Sequence, residues 1–106
     1  MAKYLFRATY TAAGAKGLLK DGGTARAKVL DHMAQELGGE MESIHWGFGS
    51  DDVYLVCTLP NDKTAAALSM TVGASGAASV VTVPLLTAAD VDEVSRVSVS
   101  YRPPGS

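Results

Sequence analysis

Apolar and polar side chains alternate along residues 3–10, "KYLFRATY", and this sets the reading of the whole chain. Tyr4, Phe6, Ala8 and Tyr10 share one face of an extended segment, and Lys3, Leu5, Arg7 and Thr9 share the other. Two Tyr and one Phe favour the pleated state, so a strand is expected. The same period returns at 40–48 and 52–59, where Ile44, Trp46 and Phe48, then Val53, Leu55 and Cys57, fall on single faces;. The "GSDD" between these runs is a hairpin signal. Pro60, with no N–H to donate, ends the third strand, and "SVVTVPLL" at 79–86 reads as a fourth.

Helical spacing fills the intervals. Residues 11–23 read as a glycine-containing connection in which Thr11 caps at most a short turn. Thr24 has the chemistry of an N-cap for the main helix, which runs to about Leu37 and stops at Gly38-Gly39;. Ala27, Leu30, Met33, Ala34 and Leu37 form its apolar face, and Lys28, Asp31, His32 and Gln35 its polar one. Asn61 or Asp62 caps a second helix to about Ala74. Small residues on that helix let it lie close against a sheet, and Gly76 closes it. "TAAD" at 87–90 reads as a capping box, with a short helix to about Arg96.

The order strand, helix, strand, strand, helix, strand is the split βαβ arrangement, an α+β ferredoxin-like βαββαβ fold with a four-stranded antiparallel sheet. Right-handed crossovers place both helices on one face of that sheet. The other face, with its apolar members, requires a cover, and a second copy of the chain is the economical one. Residues 1–96 make the domain. Residues 97–106 follow as a strand-like tail, in which "VSVSY" alternates before "RPPGS".

Composition narrows the function classes. The 106 residues are 47% apolar and 19% charged with net charge −2, a globular balance for one domain;. No basic stripe points to nucleic acid. A single cysteine makes no internal disulfide, no ligand spacing points to a metal, and no cofactor motif is present. The N-terminus lacks a signal-peptide core, so the cytoplasm is the expected location. Residues 64–89 carry no charge, but hydroxyl side chains, two glycines and Pro84 within 64–86 argue against a membrane span;.

The chain resembles the GYD domain family, small bacterial and archaeal proteins. The resemblance rests on "YT" at 10–11, "GGTARA" at 22–27, "LGG" at 37–39 and "FGSDDVYLV" at 48–56. It continues through "LPND" at 59–62, "GASGA" at 73–77 and "YRPPG" at 101–105. In the family's Gly-x-Tyr-Asp signature Gly49 and Asp52 match, while Asp51 stands at the tyrosine position. The resemblance implies a ferredoxin-like fold similar to the dimeric α/β-barrel proteins, and a homodimer or larger homo-oligomer. It implies no particular reaction.

Three functional readings follow. In the first, the chain is a homo-oligomeric module that binds a small, partly apolar molecule between sheet and helices. Tyr4, Tyr10 and Trp46 then supply apolar walls with polar tips, and Arg26, in the first turn after Gly22-Gly23, supplies charge for an anion or carboxylate. In the second, by analogy of fold alone, it is a cofactor-independent oxygenase- or isomerase-like enzyme, with His45 or Tyr10 moving the proton. In the third it is a structural self-assembly unit. Cys57 sits among apolar neighbours, which makes it an inert buried thiol rather than a nucleophile. Asp51 and Asp52 read as turn residues. An acid/base group inside the cavity separates an enzyme from a binding module.

Overall fold

The computed structural model describes residues 1–106. Its elements are β1 (Ala2–Tyr10), α1 (Ala12–Asp21), α2 (Gly23–Glu36), β2 (Glu40–Trp46), β3 (Val53–Leu59), α3 (Asp62–Ala74), β4 (Ala78–Leu85) and α4 (Ala88–Val94). The strands form one antiparallel sheet in the order β2-β3-β1-β4. This is the ferredoxin-like α+β arrangement expected from the alternation of elements. No helix is long and apolar enough to cross a membrane; the uncharged stretch 64–89 is α3, β4 and the start of α4.

The period of two decides what is buried. Tyr4, Phe6, Leu55, Cys57 and Leu59 point to one side and meet Ala34 of α2 and Ala65 and Leu68 of α3. Cys57 is fully buried, and its thiol is pushed up to about 11, first by desolvation and then by the charges of Glu42 and Asp31;. At neutral pH it therefore holds almost no thiolate. The opposite side carries Lys3, Leu5 and Arg7 of β1, Tyr54, Val56 and Thr58 of β3, and Val81 and Val83 of β4. None of these belongs to the core, and α2 and α3 pack on the other side.

Four local expectations change. Thr11 does cap a helix, accepting from the Gly14 N–H at 3.2 Å, but α1 is a full ten residues. Two glycines weaken its intrinsic propensity, yet one of them makes its packing possible. A Cβ at Gly14 would overlap the Ala77 carbonyl oxygen and lie 3.0 Å from the Tyr10 ring, so only glycine lets α1 approach the start of β4. Secondly, Thr24 is not the cap of α2: Gly22, at φ 84°, holds that place with no side-chain bond, and Thr24 lies inside the helix. Left-handed backbone at Gly22 turns α1 directly into α2, which a threonine cap cannot do. Thirdly, the hairpin loop spans 47–52 rather than a tight four-residue turn, and Phe48 is fully exposed instead of extending the Ile44–Trp46 face. Finally, β2 carries an irregularity between Met41 and Ser43. It leaves Glu42 free to pair with Lys3 at 3.1 Å.

The remaining caps agree with the sequence. Asn61 accepts from the Thr64 N–H at 3.0 Å, Gly38 and Gly76 take the left-handed conformation after α2 and α3, and Thr87 with Asp90 forms a complete capping box;.

Gly14 and Gly17 lie on the same helix with opposite environments, since a Cβ at Gly17 meets nothing within 4 Å. Gly14→Ala should lower the unfolding free energy by about 1–3 kcal/mol through overpacking. Gly17→Ala should raise it by about 0.5–1 kcal/mol through helix propensity. Urea denaturation of the two variants checks the contrast; equal effects would show that α1 does not pack as described.

Candidate functional site

The site is built where β1 ends. Tyr10 is the last residue of β1, beyond the stretch that β3 pairs. Asp52 supplies the missing partner: its carboxylate accepts the Tyr10 backbone N–H at 2.8 Å. Its own N–H donates to the Ala8 carbonyl, and its carbonyl accepts from Gly47, both at 2.9 Å. One aspartate thus closes the hairpin base and clamps the end of the neighbouring strand. Asp51, one residue earlier, turns to the open face. There it lies 3.4 Å from the Arg7 guanidinium and accepts from the Thr9 hydroxyl at 3.3 Å.

Clamped in this way, the Tyr10 ring borders a cavity between the sheet and the helices. The inner part is about 50 Å³ and is walled by carbon, with Phe6, Leu30, Val53, Leu68 and Val72 among its lining. Arg26 is its only charged residue. Tyr10, Arg26 and Ala77 also border an outer hollow of about 190 Å³, beside Gly14, Gly17 and Asp21 of α1. The mouth between the two compartments therefore carries a phenol and a guanidinium, and Arg26 makes no ion pair or side-chain hydrogen bond within the chain. Trp46 stands behind Tyr10. Its indole N–H donates to the Tyr10 hydroxyl at 3.2 Å, and its ring stands where a Cβ at Gly23, the start of α2, would meet it at van der Waals distance. With that bond accepted, the Tyr10 hydroxyl keeps its own proton to donate.

The other sequence candidates lie elsewhere. Tyr4 is buried on the same sheet face as Tyr10 but at the opposite end of β1, where its hydroxyl donates to the Asp62 carboxylate at 2.6 Å. That hydrogen bond, then burial and then the Asp62 charge raise its phenol above the ordinary range;. It borders a shallow groove with Ser69, Thr82 and Pro84, not the Tyr10 cavity. His45 is exposed on the open sheet face opposite Tyr54, so the sheet itself separates it from Tyr10. No group of three or more His, Cys, Asp or Glu side chains is gathered as a metal site.

Alternation along β1 put Tyr10 on one face with Phe6 and Ala8, and the first-turn position of Arg26 suggested charge for an anion; the packing of α2 on the sheet brings the two to one opening. Leu30, one turn further along α2, lines the cavity with Arg26.

The role given to Asp52 has a direct consequence. Asp52→Ala should cost about 1–3 kcal/mol by leaving the partly buried Tyr10 N–H without an acceptor. Asp52→Asn, which keeps an oxygen there, should cost less. Both should shift the emission of Trp46, the single tryptophan, through the displaced Tyr10 hydroxyl; unchanged stability and emission in Asp52→Ala would contradict the clamp.

No curated protein and no solved structure matches the chain. The family model for the GYD domain matches residues 4–95, from within β1 to just past the end of α4. The clamp at Asp52, the Gly22-Gly23 junction and the Tyr10 cavity all lie inside the matched region, and the chain belongs to the GYD domain family.

Proposed function

We propose that this protein is a homo-oligomeric, cytoplasmic binding module for a small organic anion, with an apolar body in the Tyr10 cavity and a carboxylate at Arg26. The single observation that carries this reading is the unpaired Arg26 guanidinium at the mouth of a carbon-lined cavity. A guanidinium is matched by a carboxylate, to which it donates two parallel hydrogen bonds. The Tyr10 hydroxyl, already accepting from Trp46, adds a third donor. The inner compartment admits only the tip of an apolar group, and both compartments together are small beside ordinary drug-sized sites. A short aliphatic or aryl carboxylate suits these dimensions. The cavity holds no histidine or carboxylate lining its inner part. Its one phenol is spaced across the sheet from His45, which favours binding over proton-transfer catalysis;. A cytoplasmic setting suits a chain whose one cysteine is a buried free thiol;.

Hexanoate is expected to change Trp46 emission in a saturable way, whereas hexan-1-ol, of equal chain length, should bind at least about tenfold more weakly, ~1.4 kcal/mol. Arg26→Gln should abolish the preference for the acid while leaving the circular dichroism unchanged. Equal affinity for acid and alcohol, or no response to millimolar hexanoate, would sink the proposal.

Self-association through the open sheet face is the second part. Leu5, Val56, Val81 and Val83 stand there without a helix above them, and Val81 is 47% exposed. Exposed aliphatic residues on a sheet face are the usual signature of a contact surface. Light scattering at micromolar concentration should report a dimer or larger species, and Val81→Glu should weaken it. A monodisperse monomer would remove this part of the reading.

A further inference from the structure

The chain keeps a second apolar surface out of its own core. Six of the twelve large apolar side chains left exposed lie between residues 86 and 101: Leu86, Val91, Val94, Val97, Val99 and Tyr101, at 53–77% exposure. Every residue from 91 to 106 is exposed, and none of residues 98–102 has regular structure. The segment extends away from the body. The radius of gyration is 16.7 Å and the long axis 56 Å, against 34 and 22 Å for the other axes; a compact chain of about 100 residues has a radius near 13 Å.

Local chemistry holds this arm out. Only Leu86 separates the end of β4 from Thr87, and the Thr87–Asp90 capping box fixes the start of α4, with bonds of 2.9 and 3.1 Å. The Thr87 backbone N–H, by bonding Asp90, also holds that carboxyl below the usual range, so the box persists across neutral pH;. With a one-residue joint and a capped first turn, α4 departs in a set direction. Between α4 and the end of the sheet lies a hollow of about 730 Å³. Leu85, Leu86, Val94 and Val97 line it, and Lys3 and Glu42 form its polar edge. Leu85 pairs with Lys3 in register, so this hollow runs onto the open face of the sheet.

We infer that residues 87–106 are an exchange arm: the arm of one copy crosses to a second copy and seats Val97, Val99 and Tyr101 against the partner's open sheet face and hollow. Two observations select a second copy as the occupant. Each chain carries both halves of the contact, an apolar arm whose Val99 and Tyr101 stay exposed on its own body and an aliphatic strip of sheet without a helix above it. The arm also alternates at the strand period, so Val97, Val99 and Tyr101 present one apolar side while Ser98 and Ser100 face water. Two-fold pairing then satisfies both surfaces at once, and the contact closes instead of propagating. Pro103 and Pro104 stiffen the segment that follows and so reduce the entropy lost on docking;. The inference rests on the self-association proposed above and adds the element that makes it two-way.

The full chain with Val99 replaced by the photocrosslinking residue benzoylphenylalanine tests the contact. Irradiation should yield covalent dimers on a denaturing gel, and peptide mapping should join residue 99 to β1 or β4. Crosslinks confined to one chain, or no crosslinks at all, overturn the arm. As a second arm of the test, V97D/V99D/Y101D in the full chain should raise the dissociation constant of the oligomer at least about tenfold, with unchanged circular dichroism. A wild-type oligomer that this triple variant leaves intact overturns the arm alone. A wild-type chain that is monomeric at micromolar concentration overturns the self-association and the arm together.

Discussion

Pairing of β1 on both of its edges is the constraint from which the rest of the molecule follows. Its ladder with β3 runs from Ala2 to Ala8, and its ladder with β4 from Lys3 to Tyr10. The two registers end two residues apart, so Tyr10 has a neighbour on one side only. Asp52 fills the other side with a carboxylate instead of a strand. That substitution lets the sheet stop and a cavity begin without an unpaired backbone N–H. Tyr10, Trp46 and the inner cavity are arranged around this point.

A sheet covered on one face makes the two faces unequal in chemistry. The helix side is closed by α2 and α3, whose small residues Ala34 and Ala65 permit close approach. The open side mixes aliphatic residues with the ion pairs Lys3–Glu42 and Arg7–Asp51. Such part-exposed pairs contribute little to stability by themselves. Their value is positional: they hold long side chains toward the two ends of β1 and leave Leu5, Val56 and Val83 as an aliphatic strip between them. Asp51 belongs to this polar surface through Arg7 and Thr9. Asp52 belongs to the fold. The two adjacent aspartates therefore divide between surface and scaffold, Asp51 through the Arg7 and Thr9 side chains and Asp52 through the Tyr10 backbone N–H.

Much of the architecture was legible in the chain. Alternation at 3–10 and 52–59 put Tyr4 with Phe6, and Leu55 with Cys57, on shared faces, and the structure buries all four. Asn61, Gly76 and the Thr87–Asp90 box marked helix ends by chemistry that operates within four residues. Thr24 misled because a good cap residue does not act as one when a neighbouring helix dictates the entry angle, here through Gly22. Helix α1 was underestimated for a related reason: Gly14 lowers local propensity but removes a clash with Ala77, sixty-three positions away.

The sequence by itself determined the order of elements, the identity of the buried faces and most helix ends, because these depend on periods of two and 3.6 residues and on caps that reach three or four positions. Only the tertiary structure decided which of the aromatic candidates meet. Tyr4 and Tyr10 have the same parity on one strand, yet Tyr4 donates to Asp62 at one end of the sheet and Tyr10 accepts from Trp46 at the other. It also decided that Arg26 reaches the Tyr10 cavity, while His45 is held on the far side of the sheet. These meetings join residues from 16 to 58 positions apart, and no local period encodes them. They arise when strand register and helix packing are satisfied together, which is a property of the folded chain as a whole.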